Sequence, residues 1–276
     1  MSEIDGGNEI GQSAPCARAI PSAALLAAAL FMATADVGGE DQPPEARPVS
    51  EWWFKIVEGA SEKLLIGWLR ESCEEAEEGG RRVYRTELEE GSTRNRKQNY
   101  APSAATRYKE FVETAEGRPV RFRLKEGQGK KGEGLLYEAR GEVRDGSMQV
   151  TMSWGTKDDE RASFPVPDDL LFPRAIHGQV RQLDKAAGTK LTHQEITYEG
   201  GRLATRTMEV VGAETVEFDG RPVGVLRVRE RLEPTWDSRE VLYDSDGVPL
   251  RIEYEQYAFV RCSREEALAL PEREEK

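Results

Sequence analysis

Residues 225–232 read VLRVRERL, and the parity of that run decides the fold class. Val225, Arg227, Arg229 and Arg231 share one side of an extended chain, while Leu226, Val228, Glu230 and Leu232 share the other. A period of two with one wet side and one dry side marks an antiparallel strand whose sheet faces water on one side only. Runs of the same kind recur on both sides of it. They cover 51–57, 63–70, 82–88, 106–114, 119–124, 135–143 and 147–154, and then 189–198, 202–211, 214–218, 239–243 and 249–257. Asp145-Gly146 between two of these runs is a two-residue hairpin signal.

Three further joints repeat one pattern, acidic-Gly-x-Pro-aliphatic: EGRPV at 116–120, DGRPV at 219–223 and DGVPL at 246–250. Glycine takes positive φ in a tight turn, and proline at the first residue of a strand loses least by lacking an N–H. The repeat is therefore turn chemistry, and the fold class is mainly β. Residues 51–262 are expected to form a single antiparallel domain. One or two short helices interrupt it. The segment 164–183, FPVPDDLLFPRAIHGQVRQL, reads as a short helix capped by Asp168 or as a covering loop, with Pro173 and Gly178 interrupting it. Ser263-Arg264-Glu265-Glu266 matches a capping box and opens a short C-terminal helix before a charged tail ending at 276.

Composition narrows the function. The 276 residues carry 39 Lys+Arg against 51 Asp+Glu, a net charge of −12, which opposes the counterion release that drives nucleic-acid binding. A hydrophobic share of 38% is too high for a wholly disordered chain, and two histidines leave little for metal sites or catalytic triads.

The run at 19–35, AIPSAALLAAALFMATA, is uncharged, follows Arg18 and ends on the small-x-small triplet Ala33-Thr34-Ala35. That is the pattern of a signal-peptide apolar region with its cleavage site, and the preferred reading is an exported protein, periplasmic or extracellular. Glu3, Asp5 and Glu9 ahead of it are unlike an export signal's positive start, so a buried Ala-rich helix and an uncleaved anchor stand as alternatives. Seventeen residues with Pro21 among them are short for a span, and no stable span is expected after cleavage. Residues 36–50 read as a Pro-rich linker. Cys16 would leave with the signal, and Cys73 and Cys262 would remain as one possible disulfide or as two separate thiols.

Chemistry-bearing clusters are sparse. His177 and His193 sit outside any metal-ligand spacing and are expected to play surface or satisfied polar roles. The acidic run ESCEEAEE at 71–78 reads as a solvated hairpin loop. Asp158-Asp159-Glu160 and Asp168-Asp169 are ordinary adjacency in an acidic chain, and RNRK at 94–97 is too short to set the overall field. No metal and no cofactor is expected. The aromatic residues are more informative. Trp53, Trp68 and Trp154 are the candidates to line an apolar ligand groove, with sheet-core packing as the plainer alternative.

The turn-and-strand pattern of 208–229 (MEVVGAETVEFDGRPVGVLRVR) and 243–254 (YDSDGVPLRIEY), with the opening strands from Trp53 to Trp68, resembles a family of bacterial envelope proteins similar in shape to the LolA-type periplasmic lipoprotein carriers. The likeness spans residues 52–257. It implies a curved antiparallel sheet, an incomplete β-barrel whose concave apolar face is partly covered by helical segments and holds acyl chains.

The functional expectation is a non-enzymatic exported domain that binds a lipid, a lipoprotein or another hydrophobic partner. The alternative is an envelope scaffold that pairs with another envelope protein and has no small ligand. A hydrolase would require His177 or His193 within hydrogen-bond reach of a serine or carboxylate in a pocket.

Overall fold

The computed structural model describes residues 46–58, 64–92, 105–128, 134–155, 159–197, 201–234 and 237–269. The apolar run at 19–35, Cys16, the linker up to residue 45, the RNRK stretch, Asp158 and Trp236 lie outside the described residues.

The first half of the chain contributes β1 (Arg47–Glu58), β2 (Leu64–Glu78), β3 (Arg81–Ser92), β4 (Ala105–Thr114), β5 (Pro119–Gln128), β6 (Gly134–Arg144), β7 (Ser147–Ser153) and β8 (Glu160–Pro165). After the helix α1 (Pro173–Gln182) come β9 (Lys190–Ile196), β10 (Leu203–Phe218), β11 (Arg221–Glu233), β12 (Asp237–Tyr243), β13 (Pro249–Glu253) and β14 (Tyr257–Cys262), then α2 (Arg264–Leu268). All fourteen strands form one sheet in the order β8-β7-β6-β5-β4-β3-β2-β1-β14-β13-β12-β11-β10-β9. Neighbours are antiparallel throughout, for example Phe54 opposite Leu69 and Val228 opposite Val241. Two meanders thus meet where β14 lies against β1, and α1 carries the chain from one end of the sheet to the other. Because β8 and β9 end the order without pairing to each other, the sheet is not closed into a barrel.

Local chemistry explains the joints. Gly117, Gly220 and Gly247 of the repeated motif have φ of 82°, 69° and 76°. Asp145 and Gly146, at 50° and 75°, make the left-handed pair that the β6–β7 hairpin needs. Ser263 and Glu266 form the expected capping box of α2. In α1, Pro173 is not an interruption but the start: at the first helical position its missing N–H and fixed φ are no handicap. Gly178 lies inside that helix. Several boundaries also differ from expectation, and the runs at 202–211 and 214–218 form the single strand β10. Arg47–Ser50, the end of the expected linker, is already strand, β8 is an additional strand, and the run at 249–257 stops at Glu253 before β14 begins.

The acidic run at 71–78 is the second half of β2, not a loop. Its carboxylates stay extended because arginines on neighbouring strands take them: Arg85 donates to Glu74 at 2.7 Å, and Arg121 holds Glu78 from β5. Alternating acids read as solvated in sequence, but cross-strand cations make them strand residues.

The inner face carries one cluster around Phe54, Met208, Val228, Val241 and Phe259, and another around Phe111, Phe122, Leu124, Met148 and Phe172. At Gly141 an added methyl would overlap the Phe122 ring, which needs this bare stretch of β6 to lie flat. In a flat sheet β4 and β9 would be nine strand spacings apart, about 43 Å. Yet Lys109 and Phe111 of β4 line one cavity with Glu195 and Ile196 of β9, so the sheet coils strongly. On the outer face the tip of the β10–β11 hairpin folds back, packing Val216, Phe218 and Val223 against Leu242 and Leu250. That cover explains why Val225, on the wet side by parity, is buried.

Candidate functional site

The three groove tryptophans do not meet on the concave side. Register places Trp53 opposite Arg70 and Trp68 opposite Lys55, on the face away from Phe54 and Ile56. There the two rings pack at 5.7 Å, Arg70 and Arg264 stand over Trp53 at 6.0 and 5.7 Å, and Trp68 fills the space a side chain at Gly91 would need. Trp154, one residue past β7, is 40% exposed and leans on Tyr137 at 4.4 Å. Trp52 stands on the inner side, edge-on to the His177 ring at 5.8 Å.

Cys73 and Cys262 are free thiols. Strand β1 runs between them, with Cys73 opposite Ser50 and Cys262 opposite Trp53, so two strand spacings, about 10 Å, already exceed the reach of a disulfide.

The inner face instead holds a partly open cavity of about 240 Å³. One wall carries Phe54, Leu69, Leu88, Phe111, Ile252 and Phe259, with Glu71, Glu90 and Lys109 set among them. The opposite wall is charged, and its charges satisfy one another. Arg206 donates to both oxygens of Glu195 at 2.7 and 2.8 Å and to Glu230 at 3.1 Å. Arg239 donates to Glu230 at 2.8 Å and to the Tyr254 hydroxyl at 2.9 Å, and Tyr243 donates to Glu230 at 2.5 Å. Glu230 is 0% exposed. Burial would raise its carboxyl, but the Arg239 and Arg206 guanidiniums outweigh burial and hold it below the usual carboxylate range. Burial pushes the Tyr243 hydroxyl well up, so it remains a donor. Lys109 reaches this wall from β4; burial lowers its ammonium to about 8 against the pull of Glu195 and Glu90.

Helix α1 roofs this cavity and also a wider cleft of about 780 Å³, the two sharing Glu71, Leu171 and His177 as a partition. His177 Nε2 is 3.6 Å from Glu71, whose carboxyl is raised by burial despite His177 and Lys109. The first turn of α1 has no side-chain cap of its own. Glu113 of β4 takes that place, facing the Ala175 N–H and accepting from Arg174 at 3.4 Å. Arg174 in turn lies 3.6 Å over the Tyr84 ring. Burial outweighs Arg174 and pushes the Glu113 carboxyl up to about 7.

Neither histidine is on the surface, and His193 is not a satisfied polar group either. His177 is mostly buried between the two cavities, with Nε2 3.6 Å from Glu71, beyond hydrogen-bond distance. His193 is 0% exposed with neither ring nitrogen bonded, and burial lowers its pKa, which keeps it neutral. Burial also raises the Cys73 thiol, the opposite of an activated nucleophile. Among the described residues no group of three or more His, Cys, Asp or Glu could hold a metal ion.

Sequence reasoning passed over Arg206, Glu195, Arg239, Lys109 and Glu113. One signal was present: Glu230 has the parity of the dry side in VLRVRERL, and a carboxylate there demands buried cationic partners. Comparisons with protein-family profiles, with curated proteins and with solved structures find no match to this chain.

Proposed function

We propose that this chain is an exported, non-enzymatic binding domain whose inner cavity holds a small, uncharged, largely apolar molecule. The observation that carries the reading is the partly open cavity of about 240 Å³, in which Phe54, Leu69, Leu88, Phe111, Ile252 and Phe259 face Glu195, Arg206 and Arg239, whose charges are paired within the protein. An apolar cavity of about 150 Å³ takes a benzene-sized guest, so this one suits one or two rings or a short chain. It falls below the range of about 300–1,000 Å³ typical of larger ligands, which favours a small guest over a long acyl chain. Glu195, Arg206 and Arg239 are already paired, and an ionised guest that drew on them would break a buried pair at a cost of about 3–5 kcal/mol. The apolar run at 19–35 supports export.

The test is titration of the full chain with the neutral dye N-phenyl-1-naphthylamine and with octanoate, alongside native mass spectrometry for a co-purifying molecule. Saturable dye binding that Leu88→Trp abolishes, with octanoate much weaker, is the expected result. No saturable binding, or binding indifferent to Leu88→Trp, refutes the reading. A processed chain beginning at Asp36 in the exported fraction checks the address. The scaffold reading also has one observation in its favour. Strand β8 is exposed along most of its length at the end of the sheet, and it could accept a strand from another envelope protein. Arg161→Pro would then abolish co-purification of that partner and leave dye binding intact.

A further inference from the structure

Strand β4 reads ATRYKEFVET, and parity puts Lys109 on the same side as Phe111, facing the inner cavity that both residues line. Register sets this lysine between Leu88 of β3 and Leu124 of β5, and Leu124 is 0% exposed. The charged groups that face its ammonium are Glu71 of β2, Glu90 of β3, Glu195 of β9 and Arg239 of β12, with Arg107 on β4 itself. Glu195 gives both oxygens to Arg206, at 2.7 and 2.8 Å, and Glu90 stands 3.9 Å from Arg107. Burial outweighs the pull of these carboxylates and brings the amine down to about 8. At pH 8 about half of it is uncharged, against under about 1% of an ordinary lysine.

An uncharged lysine amine in an apolar setting is a nucleophile. Condensation with an aldehyde or ketone needs no further reagent. The amine nitrogen attacks the carbonyl carbon and forms a C–N bond as the carbonyl π pair moves to oxygen. Loss of water then breaks the C–O bond and completes a C=N bond, the two amine hydrogens leaving with the oxygen. The resulting imine is neutral, so the burial that disfavours the ammonium tolerates it. Carbon dioxide would instead leave a carbamate anion facing Glu71, Glu90 and Glu195. The cavity of about 240 Å³, with Leu88 and Phe111 beside Lys109, has room for a carbonyl compound of one ring or a short chain.

We propose that the inner cavity captures a small apolar aldehyde or ketone as a reversible imine on Lys109. This deepens the reading of the cavity as the site of a small neutral guest, and it rests on that reading. The test treats the full chain with benzaldehyde and sodium cyanoborohydride, which fixes an imine as a secondary amine, and maps the benzylated lysines by peptide mass spectrometry. At pH 8 Lys109 is expected to react at least about 10-fold faster than Lys125 and the exposed Lys190. Leu88→Trp, which fills the cavity, abolishes labelling at Lys109 and leaves that at Lys190. In displacement of N-phenyl-1-naphthylamine, benzaldehyde competes at least about 10-fold better than benzyl alcohol, which is of similar size, and Lys109→Met removes the difference. Labelling of Lys109 no faster than that of Lys190, or undiminished in Leu88→Trp, overturns the proposal. Equal competition by aldehyde and alcohol in the parent overturns it as well. Any of these results together with saturable dye binding refutes the imine and leaves the cavity reading standing, whereas the absence of saturable dye binding refutes both.

Discussion

Replacing Glu230 by glutamine tests the central physical claim, that the charged wall is held by mutual pairing. In the folded protein Glu230 is 0% exposed and takes three partners: Arg206 at 3.1 Å, Arg239 at 2.8 Å and the Tyr243 hydroxyl at 2.5 Å. Glutamine keeps the volume and one acceptor oxygen but removes the charge and turns an amide N–H₂ toward a guanidinium. Arg206 retains Glu195, whereas Arg239 keeps only the Tyr254 hydroxyl among its hydrogen-bonded partners described above. The variant therefore leaves a half-buried cation uncompensated, the situation in which breaking a buried pair costs about 3–5 kcal/mol. For a domain of this size about 1 kcal/mol moves Tm by 2–4 °C, so Glu230→Gln should melt about 6–20 °C lower. Urea denaturation followed by tryptophan fluorescence measures the same difference at constant temperature. The reasoning also fixes the sign of a second experiment. Removing both members, Glu230→Met with Arg239→Met, takes away the stranded charge together with its partner. That variant should recover most of the loss, short of about 1–3 kcal/mol for the unbonded Tyr243 hydroxyl. A Glu230→Gln protein within 1 kcal/mol of the parent, or a double variant no more stable than the sum of its single changes, would falsify the account.

Three further outcomes are expected. Gly141→Ala forces a methyl into the Phe122 ring and should cost about 1–3 kcal/mol, with Phe122→Leu added to it restoring part of the loss. Glu113, raised by burial to about 7, favours the folded state while protonated; that contribution is complete below its unfolded value near 4.5 and disappears as pH rises through 7. The parent's stability relative to Glu113→Gln should therefore fall across this window by about 3 kcal/mol, and a parallel pair of pH curves would discard the assignment. Finally, peptide mapping after alkylation of the native protein should find Cys262 labelled ahead of the buried Cys73, with no Cys73–Cys262 disulfide; a bridged peptide would contradict the strand order.

Much of the fold was legible. Alternation in VLRVRERL, the Asp145-Gly146 pair and the three acidic-Gly-x-Pro turns act within a few residues, so they report their own geometry wherever the strand ends up. The misreadings came from contacts that sequence neighbours do not contain. ESCEEAEE looked solvated because the arginines that hold it extended, Arg85 and Arg121, come from β3 and β5. Trp53 and Trp68 looked like groove residues because nothing in 53–68 says which side of the sheet is inside. A shift of one residue exchanges the two faces.

The sequence alone therefore determined an antiparallel β protein with its strands, hairpins and the Ser263 cap near their true places, although Phe172 and not Asp168 precedes α1, because backbone period and turn dihedrals are local properties. Only the tertiary structure decided that β4 and β9, distant in the sheet, share a cavity, that Trp52 and not Trp53 stands on the inner side of the sheet, and that Glu230 is matched by Arg206 and Arg239. Those outcomes depend on how strongly the sheet coils, and coiling is set by the packing of whole faces against one another rather than by any one stretch of chain.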